Sequence, residues 1–127
     1  MTNNQGTKQE SRHPFDLEER TTEFAKEVIK LCTQLPRNPM NDRLVGQVVG
    51  SSGSTGANYR EANDALGTKD FVHKLRIARR ETKETIHWLE LLVVANPDVE
   101  EKISILRKEA VELRNILSAI ITKADSH

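Results

Sequence analysis

Apolar residues in the first third of the chain fall on one helical stripe. Leu17, Phe24, Val28, Leu31 and Leu35 recur at steps of 7, 4, 3 and 4, so FDLEERTTEFAKEVIKLCTQLP predicts an amphipathic helix. Asp16 is the expected N-cap, with Glu19 three positions on as in a capping box, and Pro36 marks the end. Asn38-Pro39 repeats the start signal, a capping side chain followed by a proline whose missing N–H costs nothing at the first helical position. Farther on, Thr68 is the expected cap of KDFVHKLRIARRETKETIHWLELLVVA, where Phe71, Leu75, Ala78, Thr82, Leu89 and Leu92 share a side. Asn96-Pro97-Asp98 closes that helix and is expected to cap the next. In the last helix Val99, Ile103, Leu106, Ala110, Leu113, Leu117, Ile120 and Ala124 alternate steps of four and three, the pattern of a bundle seam. Ile105, Ile116 and Ile121 fall outside this seam and suggest a second packing side, hence a subunit partner.

The stretch GSSGSTG at residues 50–56 interrupts this reading with three possibilities. A phosphate-binding loop would continue Gly-Lys-Ser/Thr, but Gly56 is followed by Ala57 and Asn58. A dinucleotide fingerprint needs a preceding strand and the GxGxxG spacing, and neither is present. A flexible linker would break the surrounding pattern, yet Leu44, Val48, Val49, Ala57, Ala62, Ala65 and Leu66 keep helical spacing on both sides. The segment from Pro39 to Leu66 is therefore expected to be a helix that packs closely on a neighbour, with Gly46, Gly50, Ser54 and Ala57 as the small contact face. Its glycines each weaken a helix by roughly 1 kcal/mol relative to alanine, so packing must supply its stability.

Composition fits this picture. The chain has 127 residues, room for one domain, with 36% apolar and 30% charged residues and only five aromatics, which favours an all-α fold. Residues 1–14 hold almost no apolar side chain and are expected to form a disordered tail, leaving the bundle to residues 15–125. Nineteen basic residues balance nineteen acidic ones, so only a local patch could attract nucleic acid or a membrane. No apolar run reaches the roughly 18–20 residues of a membrane span, and the start MTNNQGTKQESRH lacks the apolar core of a signal peptide; a cytoplasmic protein is expected. Cys32 is the sole cysteine and is read as a packed thiol.

The segments FDLEERTTEFAKEVIKLC, SSGSTGANYREA and KDFVHKLRIARRETKETIHWLELL together resemble the bacterial 23S rRNA-intervening-sequence proteins, with coverage from about Phe15 to Ala124. The SxxxxxANYxEA and KDFxHKLxIAxxExxExxxWL patterns carry the likeness. The resemblance implies an up-down-up-down antiparallel four-helix bundle, a homopentameric ring, and distant kinship to the accessory variability protein of diversity-generating retroelements. It implies no catalytic residues and no cofactor. Where the family often has a basic residue just before the first serine of the motif, this chain has Gly50.

The third helix carries the most suggestive charge pattern. Lys69, His73, Arg76, Arg80, Lys83 and His87 follow at steps of 4, 3, 4, 3 and 4, and six Lys/Arg against three acids leave residues 69–87 at +3. A basic helical stripe of this kind suits a phosphate backbone, and five copies around a ring would act together through avidity. The bland alternative is a solvated face paired with acids of a neighbouring helix or subunit. Asp70-x-x-His73 and Glu84-x-x-His87 mimic the ExxH spacing of di-iron bundles, but both sit on one helix, whereas such a site needs its pairs on different helices. Glu84 is read instead as a buried or interfacial hydrogen-bonding carboxylate, and no nucleophile–base set is legible. The sequence therefore points to a non-enzymatic oligomeric scaffold without metal, binding RNA, DNA or a nucleic-acid enzyme such as a reverse transcriptase. The alternative is a structural or protein-interaction bundle without nucleic-acid contact.

Overall fold

A computed structural model of the protein describes residues 16–126. The expected tail 1–14, Phe15, the capping side chain of Asp16, His13 and His127 lie outside the described residues. Four helices follow in order: α1 Asp16–Thr33, α2 Pro39–Asn63, α3 Thr68–Ala95 and α4 Glu100–Asp125, with a 3-10 turn at Pro97–Val99 before the last. There is no strand among the described residues.

Side-chain pairs between helices fix their directions. Glu18 near the start of α1 binds Arg60 and Asn63 at the end of α2. Along α2 and α3, Glu61 meets Lys74, Thr55 meets Thr82, Ser51 meets Thr85 and Asn41 meets Asn96, so one helix descends as the other rises. On α3 and α4, Arg76 meets Asp125, Arg79 meets Ser118 and Glu90 meets Arg107. Lys102 early in α4 reaches Gln34 beyond the end of α1, which closes the cycle. Each helix is antiparallel to the next, and the architecture is an up-down-up-down four-helix bundle.

The expected α1 stripe is the buried one: Leu17, Phe24, Val28, Leu31 and Leu35 all lie in the core. α2 starts as its sequence signals, with Asn38 Oδ1 accepting from the Asn41 backbone N–H at 2.8 Å and Pro39 in the first turn. It then runs unbroken through the glycine-rich segment to Asn63. The start of α3 differs from expectation. Gly67, at φ +155°, takes the N-cap position and Thr68 is already helical, with no side-chain cap. Asn96 likewise caps nothing with its side chain, because its amide is engaged with Asn41. On α3, Leu75, Ala78, Thr82, Leu89 and Leu92 are buried as expected, while Phe71 is half-buried.

The α4 seam holds from Ile103 to Leu117 and then shifts. Ile121 is buried while Ile120 is half-buried, the reverse of what strict alternation assigns. A real helix turns every 3.6 residues, so a seam with a 3.5 repeat drifts by about 20° per heptad and hands the core position to the next residue. Ile121 therefore belongs to no second stripe. Ile105 is 66% exposed and Ile116 half-buried.

The contact face of α2 also differs from expectation. Gly46, Gly50 and Ala57 are exposed, Ser54 is half-buried, and a Cβ placed on Gly46 or Gly50 would meet open space. The buried face is Val48, Ser51, Ser52, Thr55, Gly56, Tyr59 and Ala62, rotated by roughly a residue. Small residues occupy both registers, so size alone could not separate them; the large apolar side chains at Val48 and Tyr59 decide which register turns inward. A Cβ on Gly56 would lie 2.9 Å from Thr21 Oγ1 and 3.2 Å from Thr21 Cβ, so the close approach of α1 to α2 occurs there. Toward α3, the hydroxyls of Ser51 and Thr85 bond at 2.8 Å and those of Thr55 and Thr82 at 3.2 Å. Thr55, Thr82 and Thr85 also bond to carbonyls of their own helices, so this buried hydroxyl seam is satisfied on both sides.

Candidate nucleic-acid interface

The outer side of α3 presents all six residues of the basic stripe. Lys69, His73, Arg76, Arg80, Lys83 and His87 are each exposed, because Val72, Leu75, Ala78, Thr82, Ile86 and Leu89 turn the opposite side into the core. The six are not equivalent. Arg76 is held by Asp125 at 2.6 Å, which ties its guanidinium to the end of α4. Lys69, Arg80 and Lys83 have no ion pair among the described residues, as is also true of Arg43, Arg79, Lys102, Lys108, Arg114 and Lys123, whereas Arg20, Lys26, Lys30, Arg37, Arg60, Lys74 and Arg107 each hold a carboxylate within 4.0 Å. Arg80 acts on the Glu81 carboxylate only through its field. Burial and the Glu84 charge push the Glu81 carboxyl up from its ordinary value, and Arg80 pulls it partway back.

The face continues onto α4, which the sequence did not reveal. Arg79 lies one position off the stripe, half-buried, and its guanidinium donates to Ser118 Oγ at 3.3 Å with no carboxylate partner among the described residues. Arg107, Arg114, Ser118 and Asp125 share one side of α4, and three of them touch α3; among the described residues Arg114 bonds to the neighbouring Asn115 side-chain oxygen. Local spacing leaves Arg79 an isolated cation; the pairing register of α3 with α4 sets it against Ser118, one turn along α4 from Arg114. At the upper end, Leu66, Gly67, Thr68, Lys69, Asp70, His73 and Arg76 line an open depression of about 650 Å³, with Leu66 99% exposed.

Other sequence candidates resolve differently. Asp70, His73, Glu84 and His87 are all on the exposed side of one helix, and no group of three or more His, Cys, Asp or Glu able to hold a metal occurs among the described residues. Of the two readings of Glu84, buried or interfacial, the bundle excludes the first: Glu84 is exposed, on the side of α3 away from the core. The His87 imidazole meets the Trp88 indole edge-on, with ring centroids 4.8 Å apart, and the indole Nε1–H is buried with no hydrogen-bond partner among the described residues. Cys32 is a half-buried free thiol in an apolar groove between α1 and α2 that Ile29, Leu35, Val45 and Val49 also line. No described helix is long and apolar enough to cross a membrane.

Fold and surface together define a small four-helix bundle with one side of α3 cationic and little paired. The sequence pattern of the 23S rRNA-intervening sequence protein family matches residues 15–119, and the chain belongs to that family. A crystal structure of a protein of unknown function from the S23 ribosomal protein family of Bacteroides thetaiotaomicron VPI-5482 is similar to it at 30% identity. That likeness has a TM-score of 0.73 and covers 82% of this chain and 96% of the other. No curated protein matches the chain.

Proposed function

We propose that the protein is a non-enzymatic, homo-oligomeric helical scaffold of the cytoplasm that binds nucleic acid, or an enzyme working on nucleic acid such as a reverse transcriptase, through the basic side of α3. The single observation that supports this reading is that Lys69, Arg80 and Lys83 stand in line on one exposed helix face with no carboxylate partner among the described residues. Unpaired cations in a row retain their full charge for phosphates, and each phosphate they neutralise releases counterions. The family's pentameric assembly would repeat the face five times, and linked weak sites gain apparent affinity without new contacts.

The test uses Lys69→Ala/Arg80→Ala/Lys83→Ala. None of these side chains holds a carboxylate in the bundle, so the thermal midpoint and the oligomeric mass should stay at wild-type values. Affinity for nucleic acid at ~50 mM salt should fall. If the variant instead loses its oligomer or its stability, the cations pair with acids across a subunit boundary, and the face is a structural or protein-interaction surface. Wild-type oligomer that binds neither RNA nor DNA at this salt removes the nucleic-acid reading and leaves only the protein partner.

A further inference from the structure

We infer that the subunits of this scaffold meet head to tail, with the exposed apolar end of α3 in one copy, Leu91 and Val94, seated against the α1/α4 groove around Ile105 in a second copy. The inference rests on the homo-oligomeric part of the reading just given, and it leaves the basic row outside the contact.

The outer stripe of α3 does not end with its cations. Continued past His87 at steps of 4 and 3, it reaches Leu91 and Val94, which are 38% and 79% exposed. One exposed aliphatic side chain needs no explanation, but two on adjacent turns of the same line form an unpartnered apolar face. Elsewhere on the bundle, Ile105 is 66% exposed beside an open depression of about 290 Å³ between α1 and α4, with the buried Leu31 and Leu106 in its wall. Of the three isoleucines outside the α4 seam, Ile105 alone is left exposed, since Ile121 is in the core and Ile116 half-buried. One copy cannot bring the two patches together. The stripe points away from the core on α3, whereas the groove lies on the α1 side of α4.

The two patches stand at one height along the bundle. The Glu90–Arg107 bond sets those two residues level on antiparallel helices. Toward the α3–α4 connection, at about 1.5 Å per residue, Leu91 lies ~1.5 Å and Val94 ~6 Å beyond that level, and Ile105 lies ~3 Å beyond it, between them. Height decides closure. Rotation about an axis along the bundle moves a copy without raising it, so complementary patches at equal height close into a ring, while patches at unequal heights generate a filament. Charge agrees with the pairing. Glu90 and Asp98 flank the α3 patch, and Asp98 is exposed with no ion pair among the described residues. At the groove Lys30 is bound to Glu27 and Glu109 to Arg20, so Lys102 and Lys108, without ion pairs among the described residues, outnumber Glu101. Lys83, the nearest unpaired cation of the row, is about 12 Å along α3 from Leu91, so the basic row stays open in the assembly.

Light scattering on full-length Val94→Asp and Ile105→Asp reads the contact. Both positions are exposed in the single bundle, so helical circular dichroism should be unchanged. Each variant's mass should fall from the wild-type oligomer to the single 14.4 kDa chain, because every contact of a head-to-tail ring uses one patch of each kind. Mixed in equal amounts, the two variants should form a dimer and nothing larger, since the intact groove of one accepts the intact α3 patch of the other. A second arm introduces no charge. In a Cys32→Ser background, co-expressed chains carrying Val94→Cys and Ile105→Cys should be joined by a short bismaleimide, whereas neither chain alone should be. The Lys69→Ala/Arg80→Ala/Lys83→Ala variant should keep the wild-type mass. Either aspartate variant keeping the wild-type mass, a mixture that stays monomeric, an absent cross-link between the two cysteine chains, or cross-linking by one of them alone overturns the inference and leaves the oligomer and its basic face in place. Should an aspartate variant unfold, the cross-link decides. A monomeric wild-type chain removes the assembly proposed above and this inference together, while the nucleic-acid test of the basic row stands apart from both.

Discussion

Asn41 and Asn96, 55 residues apart in the chain, bond amide to amide in both directions at 2.9 and 3.0 Å, and both are almost fully buried. Each amide also donates to a backbone carbonyl, Asn41 to Pro36 and Asn96 to Leu92, so one end of the bundle is pinned by a small satisfied polar network that joins the α1–α2 connection, α2 and α3. Removing one partner strands the other's carbonyl oxygen in the interior. Asn41→Ala and Asn96→Ala should each destabilise by about 1–3 kcal/mol in chemical denaturation. The double variant should cost less than the two singles combined, by about 0.5 kcal/mol or more. Strict additivity would show that the amide pair carries no coupling.

Two glycines of α2 should respond with opposite sign. At Gly56 an added Cβ is forced against buried Thr21, and Gly56→Ala should lower stability by about 1–3 kcal/mol. At Gly50 the space is open, and Gly50→Ala should raise stability by about 0.5–1 kcal/mol through helix propensity. Thermal unfolding of both variants checks the signs. A loss at Gly50 accompanied by a fall in oligomeric mass would place that face against another subunit.

Assembly is checked by light scattering. The purified chain should have a mass near five times its 14.4 kDa, as the family resemblance implies. A monomer at micromolar concentration would remove the ring and the avidity that it supplies.

Cys32 should be slow to alkylate. Burial disfavours the thiolate and pushes the thiol up to about 11 from the ordinary 9.0, so thiolate is scarce at pH 8 in the folded chain. Iodoacetamide at pH 8 should modify native protein one to two orders of magnitude more slowly than urea-unfolded protein, following ~10-fold less thiolate per pH unit of displacement. The same linkage gives a sign for stability. The neutral thiol is favoured by folding, so its contribution is intact below pH 9.0 and is lost as pH rises from there toward about 11. Equal alkylation rates in the two states would mean that the α1/α2 groove is open at Cys32.

Arg20 clamps α1 to α4 by donating to Glu109 at 2.7 and 2.9 Å and also to Glu112. These bonds hold the guanidinium pKa above its ordinary range against the opposing effect of partial burial. Lysine keeps the charge but not the planar fork, so Arg20→Lys should cost about 1–2 kcal/mol, partly retained in high salt because Arg20 and Glu109 are half-buried. Denaturation at low and high salt checks both parts. No loss on Arg20→Lys would show that charge alone, not the forked geometry, holds α1 to α4.

Much of the bundle was legible because periodicity reports burial directly. The α1 stripe, the Asn38-Pro39 start, the continuous helix through the glycines and the exposed side of α3 all follow from local spacing. The departures share one cause. Spacing rules that treat helical phase as fixed assign Gly46 and Gly50 to a contact, and Ile121 to a second stripe. Both turn on a rotation of one residue, about 100° of helix, which the neighbouring helix settles. That Arg79 reaches Ser118, one turn from Arg114, escapes a sequence reading because it depends on the register of α3 on α4.

The sequence by itself therefore determined the helices, their order and which side of α3 is charged, since these depend on contacts within a few residues along the chain. Tertiary structure alone decided that Gly56 touches Thr21, that Asn96 pairs with Asn41 and caps nothing, and that Arg76 is neutralised by Asp125 while Lys69, Arg80 and Lys83 have no ion pair among the described residues. Each of these joins residues dozens of positions apart, and which partner a side chain finds depends on how the helices are rotated and staggered in the packed core, which no local pattern encodes.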